Sequence, residues 1–221
     1  MIKTIGEHKV RSGSIMNGIG DLMSGKKADI FFSDPPWGQG NLGYWNTMKK
    51  KQTGSGVNDV DNEDFLKKFF ETVHRYAKGI VLVYYGVKYR EDFARLAVKS
   101  GLINRGLVTV GYKGDGKVYP MDLHIFSKSK GVRVPSEFAK SLRGKYSGDL
   151  AEAIVAPFAV KDGILLDPCC GQGTMAYAAI QNGMKFRGNE LNEKRAKDTS
   201  ERIEGLVKRS GNNDEDKDKE E

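Results

Sequence analysis

Apolar positions along this chain follow two rhythms that take turns. Ala28-Asp29-Ile30-Phe31-Phe32-Ser33 and Gly79-Ile80-Val81-Leu82-Val83-Tyr84-Tyr85-Gly86 are short, nearly continuous apolar runs, the mark of strands covered on both faces. Between them Phe65, Leu66, Phe69, Phe70 and Val73 recur at helical spacing, predicting a helix over 63–78 that Asp61 or Asn62 would cap. A second amphipathic helix is expected over 89–100, stopped by Gly101. Two β-like runs at 106–112 and 121–127 flank Lys113-Gly114-Asp115-Gly116-Lys117, where Asp-Gly signals a hairpin. Upstream, the pattern suggests a strand near 9–11 and a short helix over 15–23. Downstream, helices are expected over 148–158, 174–181 and 192–208, with strands at 163–166 and 186–190. Strands alternating with helices call for a largely parallel sheet, helices on both faces, with the hairpin adding one antiparallel strand.

Two intervals break the rhythm. Residues 38–60 are rich in glycine and lysine, with Tyr44 and Trp45 ahead of Lys49, Lys50 and Lys51. A loop of this length without a pattern of its own is functional or disordered; lysines interleaved with aromatics suit phosphates and unstacked bases, and equally suit a solvated loop. Residues 128–144 are basic and irregular. The 210–221 stretch is charged and of low complexity, and is expected to be a disordered tail after a single domain spanning 1–209.

The chain is long enough, at 221 residues, to bury a substantial core. Its formal charge is +7 overall; the last ten residues contribute −4, so the remainder carries +11. A basic body favours a polyanionic partner. No apolar run approaches the length of a membrane span, and the start lacks the apolar segment of a signal peptide, so a cytoplasmic, nucleoid-associated protein is expected. Cys169 and Cys170 are adjacent and cannot staple distant segments, which fits a reducing compartment. No ligand pairs stand at a metal spacing, so no metal is expected.

Chemistry concentrates at two motifs. Asp34-Pro35-Pro36-Trp37 follows directly on the first buried strand. Proline fixes φ and donates no N–H, so the segment is held extended with its carbonyls free. The Asp34 carboxylate and the Pro35 carbonyl then form a fixed set of acceptors beside the flat surface of Trp37. Such a set suits an amine on a heteroaromatic ring, whose lone pair becomes nucleophilic only when acceptors hold its N–H groups. Taken alone, the tetrapeptide reads as a stiff turn; a second motif changes that reading. Asp167-Pro168-Cys169-Cys170 leads into Gly171-Gln172-Gly173-Thr174-Met175-Ala176, matching G-x-G-x-x-(G/A) between a strand and a helix, with Glu190 placed to accept from a ribose diol. NAD would satisfy the glycines. Asp167, however, would repel a pyrophosphate and suits a cofactor bearing an ammonium and no phosphate, which describes S-adenosyl-L-methionine.

With both motifs in this order, the chain resembles the S-adenosyl-L-methionine-dependent DNA amino-methyltransferases of the adenine-N6 and cytosine-N4 type, in the permuted arrangement that sets the Asp-Pro-Pro-aromatic motif first. The resemblance covers most of residues 10–207. It implies a Rossmann-like α/β methyltransferase fold, with Asp34, Pro35, Pro36 and Trp37 as the catalytic loop. It implies cofactor contacts from Asp34, Asp167, Pro168, Cys169, Gly171, Gly173, Thr174, Glu190 and Leu191, and a helix beside the methionine moiety near 145–154. Trp37, Tyr44, Trp45, Lys49, Lys50 and Lys51 become the expected substrate contacts, with an extruded base stacked on Trp37.

Three departures from the family matter. Cys169 stands where the family often has Phe. Gly13-Ser14 replaces a frequent Gly-Asp. The interval that usually holds a target-recognition region is reduced here to residues 128–144, too few to fold a reading domain. This implies weak sequence specificity, or a substrate read by shape or by a partner; a homodimer or an accessory specificity subunit is the partner state expected. The expected reaction is direct methyl transfer, without a covalent enzyme intermediate, most readily to adenine N6 of DNA. RNA adenine, cytosine N4, a protein glutamine amide and a non-catalytic nucleic-acid-binding role stay open.

Overall fold

The computed structural model describes residues 1–38, 47 and 62–217. Among these, eight strands form one sheet: β1 (Ile2–Ile5), β2 (His8–Ser12), β3 (Ala28–Ser33), β4 (Ala77–Tyr85), β5 (Ile103–Gly114), β6 (Lys117–Ser127), β7 (Ile164–Asp167) and β8 (Lys185–Glu190), in the spatial order β1-β2-β8-β7-β3-β4-β6-β5. The helices are α1 (Gly20–Met23), α2 (Asn62–Tyr76), α3 (Arg90–Lys99), α4 (Phe138–Ser141), α5 (Ser147–Val155), α6 (Thr174–Gln181) and α7 (Glu193–Lys217).

From β2 to β4 every neighbouring pair is parallel. The expected hairpin is present: β6 runs antiparallel to both β4 and β5. Its turn needs left-handed backbone at two successive positions, which Asp115 (φ 48°) and Gly116 (φ 73°) supply. A second antiparallel strand, β1, closes the opposite edge by pairing with β2. Sequence pattern gave no sign of it, because an edge strand of four residues with two exposed carries no apolar run.

Side chains of β3 alternate between two cores. Ile30 and Phe32 join Leu165, Ile154, Ala176 and Ile203 on one side of the sheet. Phe31 joins Phe69, Val73, Phe93 and Leu166 on the other. Phe31 meets Phe69 edge-on at 5.9 Å; each fully buried side chain of this size contributes about 1.5–3 kcal/mol. Both faces of the central strands are thus covered, as their unbroken apolar character requires.

Most element boundaries shifted by a few residues, and the helix expected over 148–158 ends at Val155, Ala156–Phe158 forming a 3-10 turn; two other helices differ more. The helix expected over 15–23 is a 3-10 turn, Ile15–Asn17, followed by the four-residue α1; Ser14 Oγ accepts from the Met16 N–H (3.2 Å) and caps only that turn. The last helix, expected to end at 208, continues to Lys217. It therefore overlaps the stretch from 210 that was expected to be disordered, because extending an existing helix through proline-free sequence costs little compared with nucleating one.

The ends of the central strands away from the motif loops are tied by Asp29. Its carboxylate accepts from the Ile164 N–H of β7 (2.9 Å) and pairs with Lys78 of β4 (2.8 Å). β3 bulges against β4 at this point, and a Cβ added to Gly79 would lie 2.1 Å from the Asp29 carbonyl oxygen. Gly79→Ala should therefore force the two backbones apart and lower stability by about 1–3 kcal/mol, read as a fall in the urea midpoint; an unchanged midpoint would show that the strands part freely.

Candidate active site

Asp34 follows the last residue of β3, Asp167 ends β7 and Glu190 ends β8. These three parallel strands are neighbours, so their carboxyl ends bring the three acids to one edge of the sheet. From β7 the chain crosses to β8 on one side; from β3 it crosses to β4 on the other. The strand order reverses between β3 and β7, which opens a crevice where α/β sheets place their ligands.

The acids oppose one another. Asp167 is buried, and burial pushes its carboxyl well above the ordinary range against the Cys169 N–H it accepts (3.1 Å), with the charges of Asp34 and Glu190 pushing the same way. Asp34 opens into the crevice, but the packed protein around it still drives its carboxyl up to about 6, against a hydrogen bond from Trp37 and the charge of Arg195. Glu190 is also raised by burial, although the Gly171 and Asn192 N–H groups both donate to it at 2.8 Å. Three converging acids opposed by one nearby guanidinium make a pocket that favours a cation.

Each sequence-predicted residue has a definite place here or falls outside the description. Trp37 Nε1 donates to Asp34 Oδ1 at 3.0 Å, which holds the carboxylate in place. The indole packs against Gly86, where an added Cβ would come within 3.1 Å of the ring. Pro35 is buried and Pro36 half-buried, with no cis peptide. In the glycine loop Glu190 accepts from Gly171, Gly173 sits in left-handed backbone (φ 78°), and a Cβ there would lie 2.7 Å from Thr199. Thr199 Oγ1 donates to the Gly171 carbonyl (2.9 Å), closing α7 onto the loop. Pro168 is buried, Cys169 and Leu191 are half-buried, and Thr174 is exposed at the start of α6. Burial and the neighbouring acids push both cysteine thiols up, so neither is a ready nucleophile. Tyr44, Trp45, Lys49, Lys50 and Lys51 lie outside the described residues. Among the described residues no group of three His, Cys, Asp or Glu side chains is arranged to hold a metal.

Several residues of the site carried no signal in the sequence. Asn189, fully buried, donates through Nδ2 to the Gly13 and Pro168 carbonyls (3.1 and 3.0 Å) and accepts from Arg11 Nη1 (2.7 Å). It clips the N-terminal segment to the glycine loop across a separation of 176 residues, which no local pattern could reveal. Arg195, near Asp34 and Glu190, is one more charged position on a charged helix. Tyr84 is buried beside Asp34, whose charge joins burial in pushing the phenol up. The segment at Ser14, where the family's frequent acid is absent, still abuts the site through the Gly13 N–H, which donates to the Glu190 carbonyl (2.9 Å).

No protein-family model matches the chain, and no curated protein matches it. Solved structures do. M1.HpyAVI superposes over 88% of this chain and 97% of its own with a TM-score of 0.63 at 16% identity. TTHA0409, a proposed DNA modification methylase from Thermus thermophilus, covers 90% and 96% with a TM-score of 0.62 at 19% identity. The cytosine-N4-specific PvuII DNA methyltransferase covers 93% of each chain with a TM-score of 0.62 at 11% identity. M1.HpyAVI and TTHA0409 have also been solved with S-adenosyl-L-methionine. The fold of this chain is the Rossmann-like α/β fold of these methyltransferases.

Replacing Asn189 by Ala leaves two carbonyls and the Arg11 guanidinium short of a partner. The expected cost is about 2–4 kcal/mol, seen as a Tm lower by several degrees; an unaltered Tm would mean that water replaces the amide without loss.

Proposed function

We propose that this chain transfers the methyl group of S-adenosyl-L-methionine to an exocyclic amine of a DNA base, adenine N6 in the first instance. The observation that carries the reading is the meeting of the Asp34-Pro35-Pro36-Trp37 loop with the Asp167 and Glu190 acids at the crevice between β3 and β7. It is supported by the likeness to the PvuII DNA methyltransferase and to the TTHA0409 DNA modification methylase, and by the structures of TTHA0409 and M1.HpyAVI with this cofactor.

The residues fit the cofactor. Its ammonium and sulfonium would relieve the repulsion that Asp34 and Glu190 exert on Asp167. Glu190 would take the ribose hydroxyls, and Gly171 and Gly173 keep the backbone free of side chains beside it. When bound, S-adenosyl-L-methionine supplies an electrophilic methyl group. Asp34, oriented by Trp37, would accept from the target amine together with the Pro35 carbonyl, drawing its lone pair out of the ring. Trp37 would pack on the extruded base. The basic body matches a phosphate backbone. The PvuII enzyme acts on cytosine N4 in the same fold, so N4 is the second reading; both amines present the same N–H groups to Asp34.

Incubation with labelled cofactor and, in parallel, double-stranded DNA, single-stranded DNA and RNA, followed by nucleoside mass spectrometry, tests the reading. N6-methyldeoxyadenosine is expected. N4-methyldeoxycytidine selects the second reading, and no methylated deoxynucleoside despite cofactor binding rejects both. Asp34→Ala should abolish transfer with cofactor affinity largely kept, whereas Asp167→Ala should weaken that affinity.

The reaction should also report the titration of Asp34. Its ionised form is the stronger acceptor for the amine N–H groups, and desolvation by the surrounding protein raises the carboxyl to about 6. As pH falls through this value the acceptor is lost, so kcat/KM should drop about tenfold per pH unit on the acid side. A flat profile from about pH 5 to about pH 8 would remove Asp34 from this role.

A further inference from the structure

Beyond the crevice, the β5–β6 hairpin carries chemistry that the transfer step does not use. Trp37 meets Tyr112 edge-on, with centroids 6.1 Å apart and planes at 71°. Tyr112 stacks in turn on Tyr119, its partner directly across the hairpin, at 5.3 Å and 25°. This row of rings starts at the indole that holds Asp34 and leads outward; Tyr112 is 38% exposed. Lys113 places its ammonium 4.4 Å from the centroid of Tyr146, tying the hairpin to the segment after α4.

A cavity of about 600 Å³ lies between β5, the edge strand of the sheet, and residues 139–146. Its lining includes the exposed cations Arg143 and Lys145 and no acidic residue. Gly111 keeps it narrow-walled, since a Cβ there would press on Val118 (2.7 Å) and Tyr146 (3.1 Å). The segment bearing the cations is anchored by Phe138 and Leu142, both 2% exposed, so Arg143 and Lys145 project from a fixed base.

We propose that the hairpin and this groove hold the DNA strand that flanks the target base, Tyr112 and Tyr119 stacking with neighbouring bases while Arg143 and Lys145 pair with backbone phosphates. The inference rests on the methyl-transfer reading for the direction of the strand. Extruding a base leaves its neighbours without a stacking partner, and aromatic faces beside the extrusion site replace that partner. Cations with no acid among them suit phosphates. An acidic peptide would meet the same cations, but it has no use for a row of rings that begins at the base-binding indole. Contacts of this kind are made to π-faces and phosphates, which every sequence presents. A chain with only residues 128–144 where a recognition region would stand can therefore grip DNA while reading little of it.

The test combines Tyr119→Ala with Arg143→Glu and Lys145→Glu in the full chain. Binding of a fluorescein-labelled single-stranded oligonucleotide is followed by anisotropy, and methyl transfer is followed on that oligonucleotide and on one trimmed close to the target base. Unchanged cofactor affinity and circular dichroism show that the variant is folded. The expected result is a Kd weaker by roughly tenfold or more, a shallower dependence on salt, and a KM loss larger on the flanked substrate than on the trimmed one. Equal losses on the two substrates, or an unchanged Kd, would overturn the proposal, as would displacement of the oligonucleotide by an acidic peptide at comparable charge. If the wild-type chain binds the oligonucleotide through these residues yet methylates no DNA, the groove stands and the transfer reading falls.

Discussion

Carboxylates gathered in one crevice resist ionising together, and the architecture of this chain is arranged around that resistance. Asp34, Asp167 and Glu190 all titrate above their ordinary ranges, chiefly through burial. They are held together because the strands that end in them are neighbours in a parallel sheet, and parallel pairing fixes their carboxyl ends on the same side. The unfavourable electrostatics are stored in a rigid frame. A ligand bearing positive charge and hydroxyl donors would release them.

The frame is made rigid by polar groups that bridge distant segments. Asp29 stitches three strands at one end of the sheet, Asn189 clips the N-terminal segment to the glycine loop, and Thr199 closes the last helix over the same loop. At the hairpin, Asp122 is fully buried; burial alone would raise its carboxyl, but Arg90 at 2.8 Å on both oxygens and Thr109 outweigh it and hold the group below the usual range. This pair anchors the start of α3 to β6. Each bridge satisfies buried polar groups that would otherwise cost stability.

The crevice acids and the tyrosine row are thereby separated in space yet mechanically joined. Trp37 belongs to both: its N–H holds Asp34 and its ring lies against Tyr112. An indole is suited to this double part because its polar edge and its flat face serve different partners.

What was legible in the sequence was whatever is local. Apolar runs at 28–33 and 79–86 declared central strands, the spacing of Phe65, Phe69 and Val73 declared a helix, and Asp115-Gly116 declared its turn, since each depends on neighbours within a few residues. The two motif loops were legible for the same reason: proline and glycine set backbone conformation wherever they stand. Edge strand β1 and the extension of α7 were not, because a four-residue edge strand exists only through its partner and a helix end depends on the turn before it. Nor could the sequence declare that Asn189 would meet Gly13, or that Tyr112 would lie against Trp37. Those contacts join residues far apart in the chain, and only the order of strands in the sheet decides them.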